Sequence, residues 1–162
     1  RTREIEEIYP KELPSEEVPA YLADLKAEAV CHFILKDEVI LTADTVVIFE
    51  NEIFEKPTDY DDAFKMLGKL SGNKHTVITG VCLLSSSRKI TFSVKTDVYF
   101  KSISDDEIRY YIDNFKPFDK AGSYGIQDWI GYTKIQQIDG SYSNVMGLPL
   151  AKVYEALKLF GL

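Results

Sequence analysis

An α/β or α+β domain built around a mixed sheet is the fold class this sequence predicts, and three observations predict it. Apolar runs rich in Val, Ile, Phe and Thr, the run from Val39 to Phe49 above all, alternate with segments of helical period. Short turns join two of the strand pairs, so hairpins interrupt the alternation of strand and helix. At 162 residues, 45% hydrophobic and 28% charged, the chain has the length and composition of one soluble domain with a core of its own.

The elements follow in order. Pro10 and Pro14 break regular structure near the start. Ser15-Glu16-Glu17-Val18 supplies a cap and acids for a helix that tolerates Pro19 in its first turn and runs to about Phe33. Tyr21, Leu22, Leu25, Ala29 and Val30 form its apolar stripe, with Lys26 beside it. The run ending at Phe49 turns at Glu50-Asn51-Glu52 and returns through Ile53-Phe54-Glu55-Lys56, until Pro57 stops it. Asp59 caps a helix carrying Ala63, Phe64, Met66, Leu67 and Leu70 inward, closed at Gly72-Asn73. Strands over about 75–85 and 89–101 enclose a Ser-rich turn, and Ser104-Asp105-Asp106-Glu107 is a capping box for a helix to about Phe115. A Gly-, Asp- and aromatic-rich loop over 116–131, a strand near 132–138 and a final helix over about 150–160 complete the chain.

Composition removes several function classes. A net charge of −7 and a pI near 4.9 argue against duplex nucleic acid, which needs clustered Lys and Arg. Cys31 and Cys82 lie in apolar contexts without metal-ligand spacing and read as small core residues. Neither His32 nor His75 is assigned to a metal. No apolar run approaches the ~18 residues of a membrane span and no signal peptide is visible, so the expectation is a cytoplasmic protein without a membrane partner. No Walker loop, dinucleotide fingerprint or nucleophile elbow is present. The opening Arg1-Thr2-Arg3 without Met reads as the interior of a longer chain, and the acids Glu4–Glu7 read as a solvated face.

Three groups could carry chemistry. Asp44 stands in the middle of an apolar strand, where an ionised carboxylate needs a cation, a metal or hydrogen-bond donors beside it. Strand alternation places Thr42, Asp44, Val46 and Ile48 on one face, and a hairpin about Asn51 brings Lys56 within reach of Asp44. Such a pair can hold a phosphate on the ammonium and a water or metal on the carboxylate; it is equally read as a structural ion pair. The second group is Asp119, Lys120, Gly122, Ser123, Gly125 and Gln127, on a loop that could offer backbone N–H groups to a phosphate and the Gln127 amide to a base edge, or form an ordinary turn. The third is Ser141 to Pro149, either a pocket lid or simply the entry to the last helix.

Taken together, these residues resemble the Maf family of nucleoside triphosphate pyrophosphatases. The matching motifs are Thr42-Ala43-Asp44-Thr45-Val46-Val47, Glu55-Lys56-Pro57, Leu70-Ser71-Gly72 with His75 to Thr79, Asp119-Lys120-Ala121-Gly122 through Gly125-Ile126-Gln127, Gly140-Ser141-Tyr142, and Asn144 to Pro149. They occur in family order along nearly the whole chain. The resemblance implies an elongated α/β fold similar to the inosine triphosphate pyrophosphatases, with a central nucleotide cleft in a single domain over 1–162. It implies cleavage of a nucleoside triphosphate between the α and β phosphates with a divalent metal, Mg or Mn, whose ligands are unknown. By motif, Asp44 is the catalytic carboxylate, Lys56 and Lys26 are the phosphate cations, Thr45 and Gln127 read the base, and Lys120, Gly122 and Ser123 bind substrate.

The Gly125-Ile126-Gln127 version resembles the subgroup acting on dTTP and UTP, with a house-cleaning or septum-linked role and a homodimer as the implied assembly. Leu25 stands where family members carry a Glu. The family's first strand and Ser-x-Ser-x-Arg-Arg loop are absent, which marks the chain as N-terminally truncated. A catalytically weak, nucleotide-binding regulator linked to cell division is the alternative.

Overall fold

A computed structural model describes residues 6–161. Helix α1 (Val18–Val30) leads through a 3₁₀ turn to strand β1 (Ile40–Phe49), which reverses into β2 (Glu52–Phe54). Helix α2 (Tyr60–Leu70) precedes the long hairpin β3 (Lys74–Leu84) and β4 (Lys89–Phe100). Helix α3 (Asp105–Phe115), two 3₁₀ turns (Pro117–Asp119 and Ala121–Ser123), α4 (Trp129–Lys134), β5 (Ile135–Asp139), the single turn α5 (Tyr142–Val145) and α6 (Leu150–Lys158) follow.

The strands lie in the order β2-β1-β3-β4-β5, and every pair is antiparallel. The expected α/β class stands, but the sheet is not mixed among the described residues. The reason is topological. β2 and β3 flank β1 antiparallel on either side, so they run the same way across the α2 connection without touching. The hairpin turn at Glu50-Asn51 has positive φ at both residues, 50° and 68°, the geometry whose twist matches paired strands.

Two apolar layers cover the sheet. On one face α2, α3 and the loop over 121–130 enclose Val47, Leu67, Leu70, Val77, Val98, Ile108, Ile112 and Ile126. His75 is buried in this layer, with the rings of Phe100 and Tyr124 edge-on to it and its Nε2 hydrogen-bonded to the Tyr124 hydroxyl at 2.7 Å. Burial lowers its pKa to about 4, so the ring is neutral near pH 7. That contact ties the 121–126 loop to β3. Asp59 and Ser104 cap α2 and α3 as expected, the second as a complete capping box.

On the other face lies α1, and here the expected stripe is corrected. Val18, Leu22, Ala23 and Ala27 are buried, Tyr21 is exposed, and Glu17 rather than Ser15 precedes the helix. Small residues win these positions because the helix lies directly on the sheet. A Cβ built on Gly80 of β3 would stand 2.2 Å from the backbone of Pro19 and Ala20. The expected strand near 132–138 also shifts, since residues 129–134 are helical and pairing with β4 begins at Ile135.

Gly80→Ala is expected to cost about 3 kcal/mol by overpacking, read as a fall in Tm of roughly 10 °C for a chain of this size. Gly68→Ala, where a Cβ meets nothing within 4 Å, is the matched control and should not fall.

Candidate active site

α1 crosses β1 and β3 so that Lys26 stands over Asp44, which pairs in register with Gly80. Lys26 Nζ lies 2.5 Å from Asp44 Oδ1 and 2.8 Å from Glu7 Oε1. The Asp44 side chain is only 10% exposed. The partner demanded by a carboxylate in an apolar strand is therefore Lys26, while Lys56 stands nearby as a free cation. Among the described residues Lys56 makes no ion pair, but its charge lowers the pKa of Glu7, Asp44 and Asp119.

Burial is the largest influence on Asp44 and raises its carboxyl pKa, against the lowering pull of Lys26. Lys26 is itself partly desolvated, yet its two carboxylates carry its pKa upward. Glu7 is held below its usual range, chiefly by its hydrogen bond from Lys26. One ammonium thus serves two carboxylates, and the buried one bears the cost of ionisation.

These groups floor a cleft of about 650 Å³, within the usual range of small-molecule sites. Its walls carry Lys26, Lys56 and Lys120 as cations, with Thr45, Gln127, Met146 and Gly147 also reaching the space. Lys120 is paired to Asp119 at 2.9 Å. Gln127 is exposed in the cleft and its amide makes no hydrogen bond among the described residues. Gly122 and Ser123, expected at the substrate, sit behind the wall. Gly122 has φ +67° and packs so closely on Val47 that a Cβ would lie 2.9 Å from its methyl, and the buried Ser123 hydroxyl contacts Met66 Sδ at 3.2 Å.

Three contributors escaped the sequence reading. Glu7, expected to be solvated, is the second carboxylate on Lys26. Tyr111 is fully buried on α3, and its hydroxyl donates to Asp128 Oδ2 (2.6 Å) while accepting from the Gly125 N–H (3.0 Å), bracing the loop that carries Gln127. Its signal was its place on the inward stripe of α3 with Ile108 and Ile112, since a buried phenol needs a partner. Thr79 of β3 lies beside Thr45 at 2.9 Å.

No group of three or more His, Cys, Asp or Glu side chains is gathered as a metal cage among the described residues. Glu7 and Asp44 are two hard oxygen donors that converge on the Lys26 ammonium, so an ion would draw on the carboxylate oxygens that Lys26 leaves open. That number suits a Mg-type ion that takes its remaining ligands from water and substrate phosphates.

The family model for Maf-like protein matches residues 1–160. Over 154 residues the chain is 54% identical to a dTTP/UTP pyrophosphatase of Flavobacterium psychrophilum, covering 95% of this chain and 79% of the relative. A dTTP/UTP pyrophosphatase of Phocaeicola vulgatus is 52% identical over 95% of this chain and 80% of its own length. One of Porphyromonas gingivalis is 49% identical over 98% of this chain and 80% of its own.

Because the fold raises the Asp44 pKa, ionised Asp44 is a net cost. The stability linked to its protonation is present in acid and lost as pH rises through the folded-state value. Asp44→Asn is accordingly expected to melt at or above the native Tm at pH 7, with the advantage vanishing as pH falls below the carboxylate range; melts across pH test it.

Proposed function

The chain belongs to the Maf family, and on that premise we propose that it is a nucleoside triphosphate pyrophosphatase acting on dTTP and UTP. Water adds to the α phosphorus, the α–β bridging bond breaks, and the products are the nucleoside monophosphate and pyrophosphate. The observation that carries this reading is a buried carboxylate kept beside one ammonium at the floor of a cleft whose walls supply two further lysines.

Asp44 takes the proton of the attacking water. A desolvated carboxylate with a raised pKa is a stronger base than a surface one. Lys26 holds that charge in place, and Lys56 and Lys120 receive the phosphate oxygens as point charges. Thr45 and Gln127 face the base, and Tyr111 keeps the Gln127 loop in position. A divalent cation held by Glu7, Asp44 and the phosphates would offset the negative charge gathering on the phosphoryl oxygens. Three lysines lining the cleft of a chain whose net charge is −7 support a polyanionic small molecule rather than a nucleic acid as the partner.

No helix among the described residues is long and apolar enough to cross a membrane. A cytoplasmic location, a single domain over residues 1–162 and a homodimer belong to the same proposal. The exposed Tyr132, Tyr154 and Leu150 offer apolar surface for such a partner copy.

With UTP or dTTP and Mg, pyrophosphate is expected as the first phosphate-containing leaving product, and Asp44→Asn is expected to lower kcat at least ~10²-fold. Phosphate-release assays with and without an added inorganic pyrophosphatase separate the products. Orthophosphate appearing without that enzyme would overturn the assignment.

A further inference from the structure

Behind the cleft wall runs a chain of hydroxyls and one amide whose proton directions follow from the carbonyls at its buried end. Thr79 Oγ1 donates to the Asn144 carbonyl at 2.9 Å, and that carbonyl can only accept. Its single proton is thereby used. The 2.9 Å contact between Thr45 Oγ1 and Thr79 Oγ1 must then be donated by Thr45. Asn144 is locked in turn: its Nδ2 donates to the Val77 carbonyl (3.2 Å) and to Thr96 Oγ1 (2.9 Å), which sets the orientation of the amide. Thr79, Thr96 and Asn144 are buried, at 0%, 1% and 0% exposure, so water does not compete for these bonds. Thr45 is the one member that reaches the cleft, and toward it the hydroxyl has no proton left to give, only lone pairs.

We propose that Thr79 and Asn144 act as positioning residues that set the polarity of Thr45, so that it meets the base as an acceptor and selects rings carrying an N3–H. Uracil and thymine offer that donor. Cytosine presents a bare N3 lone pair at the same place, and two acceptors facing each other lose a hydrogen bond and repel. Turning Thr45 to donate to cytosine would break its bond to Thr79 in a dry interior, which carries a desolvation penalty. The selection is therefore written two residues behind the contact, in backbone carbonyls that cannot change role. This inference rests on the reading that Thr45 faces the base of a pyrimidine nucleotide.

The test is calorimetric binding of UMP and CMP, which needs no turnover, on the native chain, Thr79→Val, Thr79→Ser and Thr79→Ala. The native chain is expected to prefer UMP. Thr79→Val frees the Thr45 proton, and the UMP-over-CMP preference should fall about fivefold or more, chiefly through tighter CMP binding. Thr79→Ser keeps the hydroxyl and should keep the preference. Thr79→Ala removes the same hydroxyl by truncation, so the comparison survives if valine cannot be seated.

A folded Thr79→Val or Thr79→Ala protein with the native UMP-to-CMP ratio would overturn the relay. So would a native chain that binds the two equally. Preferential UMP binding without hydrolysis of UTP would instead overturn the catalytic reading and leave the relay standing.

Discussion

The contact on which the rest depends is the seat of α1 against β3 at Gly80. Nothing larger than hydrogen fits there, because the backbone of Pro19 and Ala20 occupies the space a side chain would take. Ala23 and Ala27 continue the close approach along the helix. That approach is what sets Lys26 over Asp44, one strand away from Gly80 in register. A helix held farther from the sheet by ordinary side chains would leave the carboxylate buried without its cation. The apolar packing of α1 and the electrostatics of the cleft are thus one constraint.

Within that constraint the charges are deliberately unbalanced. Lys26 is divided between Glu7 and Asp44: it holds the more exposed Glu7 below its usual range, while burial leaves Asp44 with a raised pKa despite the ammonium beside it. A full one-to-one pairing would favour the fold but would give a weaker base. The loop across the cleft is built on the opposite plan. The Tyr111 hydroxyl, the His75–Tyr124 bond and the fit of Gly122 against Val47 leave the backbone around Gly125 little freedom. A tense floor faces a braced wall, which is how a site combines reactivity with orientation.

Much of this was legible in the sequence. The need of Asp44 for a partner followed from one carboxylate inside a β-branched run, and the caps of α2 and α3 followed from Asp59 and Ser104. The identity of the partner did not follow. Hairpin geometry pointed to Lys56, because strand register can be counted, whereas the crossing of a helix over a sheet is decided by which small residues permit contact. The stripe of α1 differs from its expected course for the same reason: Leu22 is buried and Leu25 packs beside it as expected, but Tyr21 is exposed and the small Ala23 and Ala27 take the closest positions on the sheet. Gly122 and Ser123 were drawn to the substrate by their motif and stand behind the wall, since positive φ at both turns the loop inward. Thr79 closes the His75–Thr79 motif, but its contacts with Thr45 and Asn144, like that of Glu7 with Lys26, are long-range and have no local signal.

The decisive measurement, on whether Lys26 only partly offsets the burial of Asp44, is a carboxyl-carbon NMR titration of Asp44 in the native chain and in Lys26→Gln. The native pKa is expected above the ordinary Asp value of about 3.9, with a further rise when Lys26 is replaced and Glu7 rising alongside it. An Asp44 pKa at or below the ordinary value, or one that does not move in a folded Lys26→Gln protein, would contradict it.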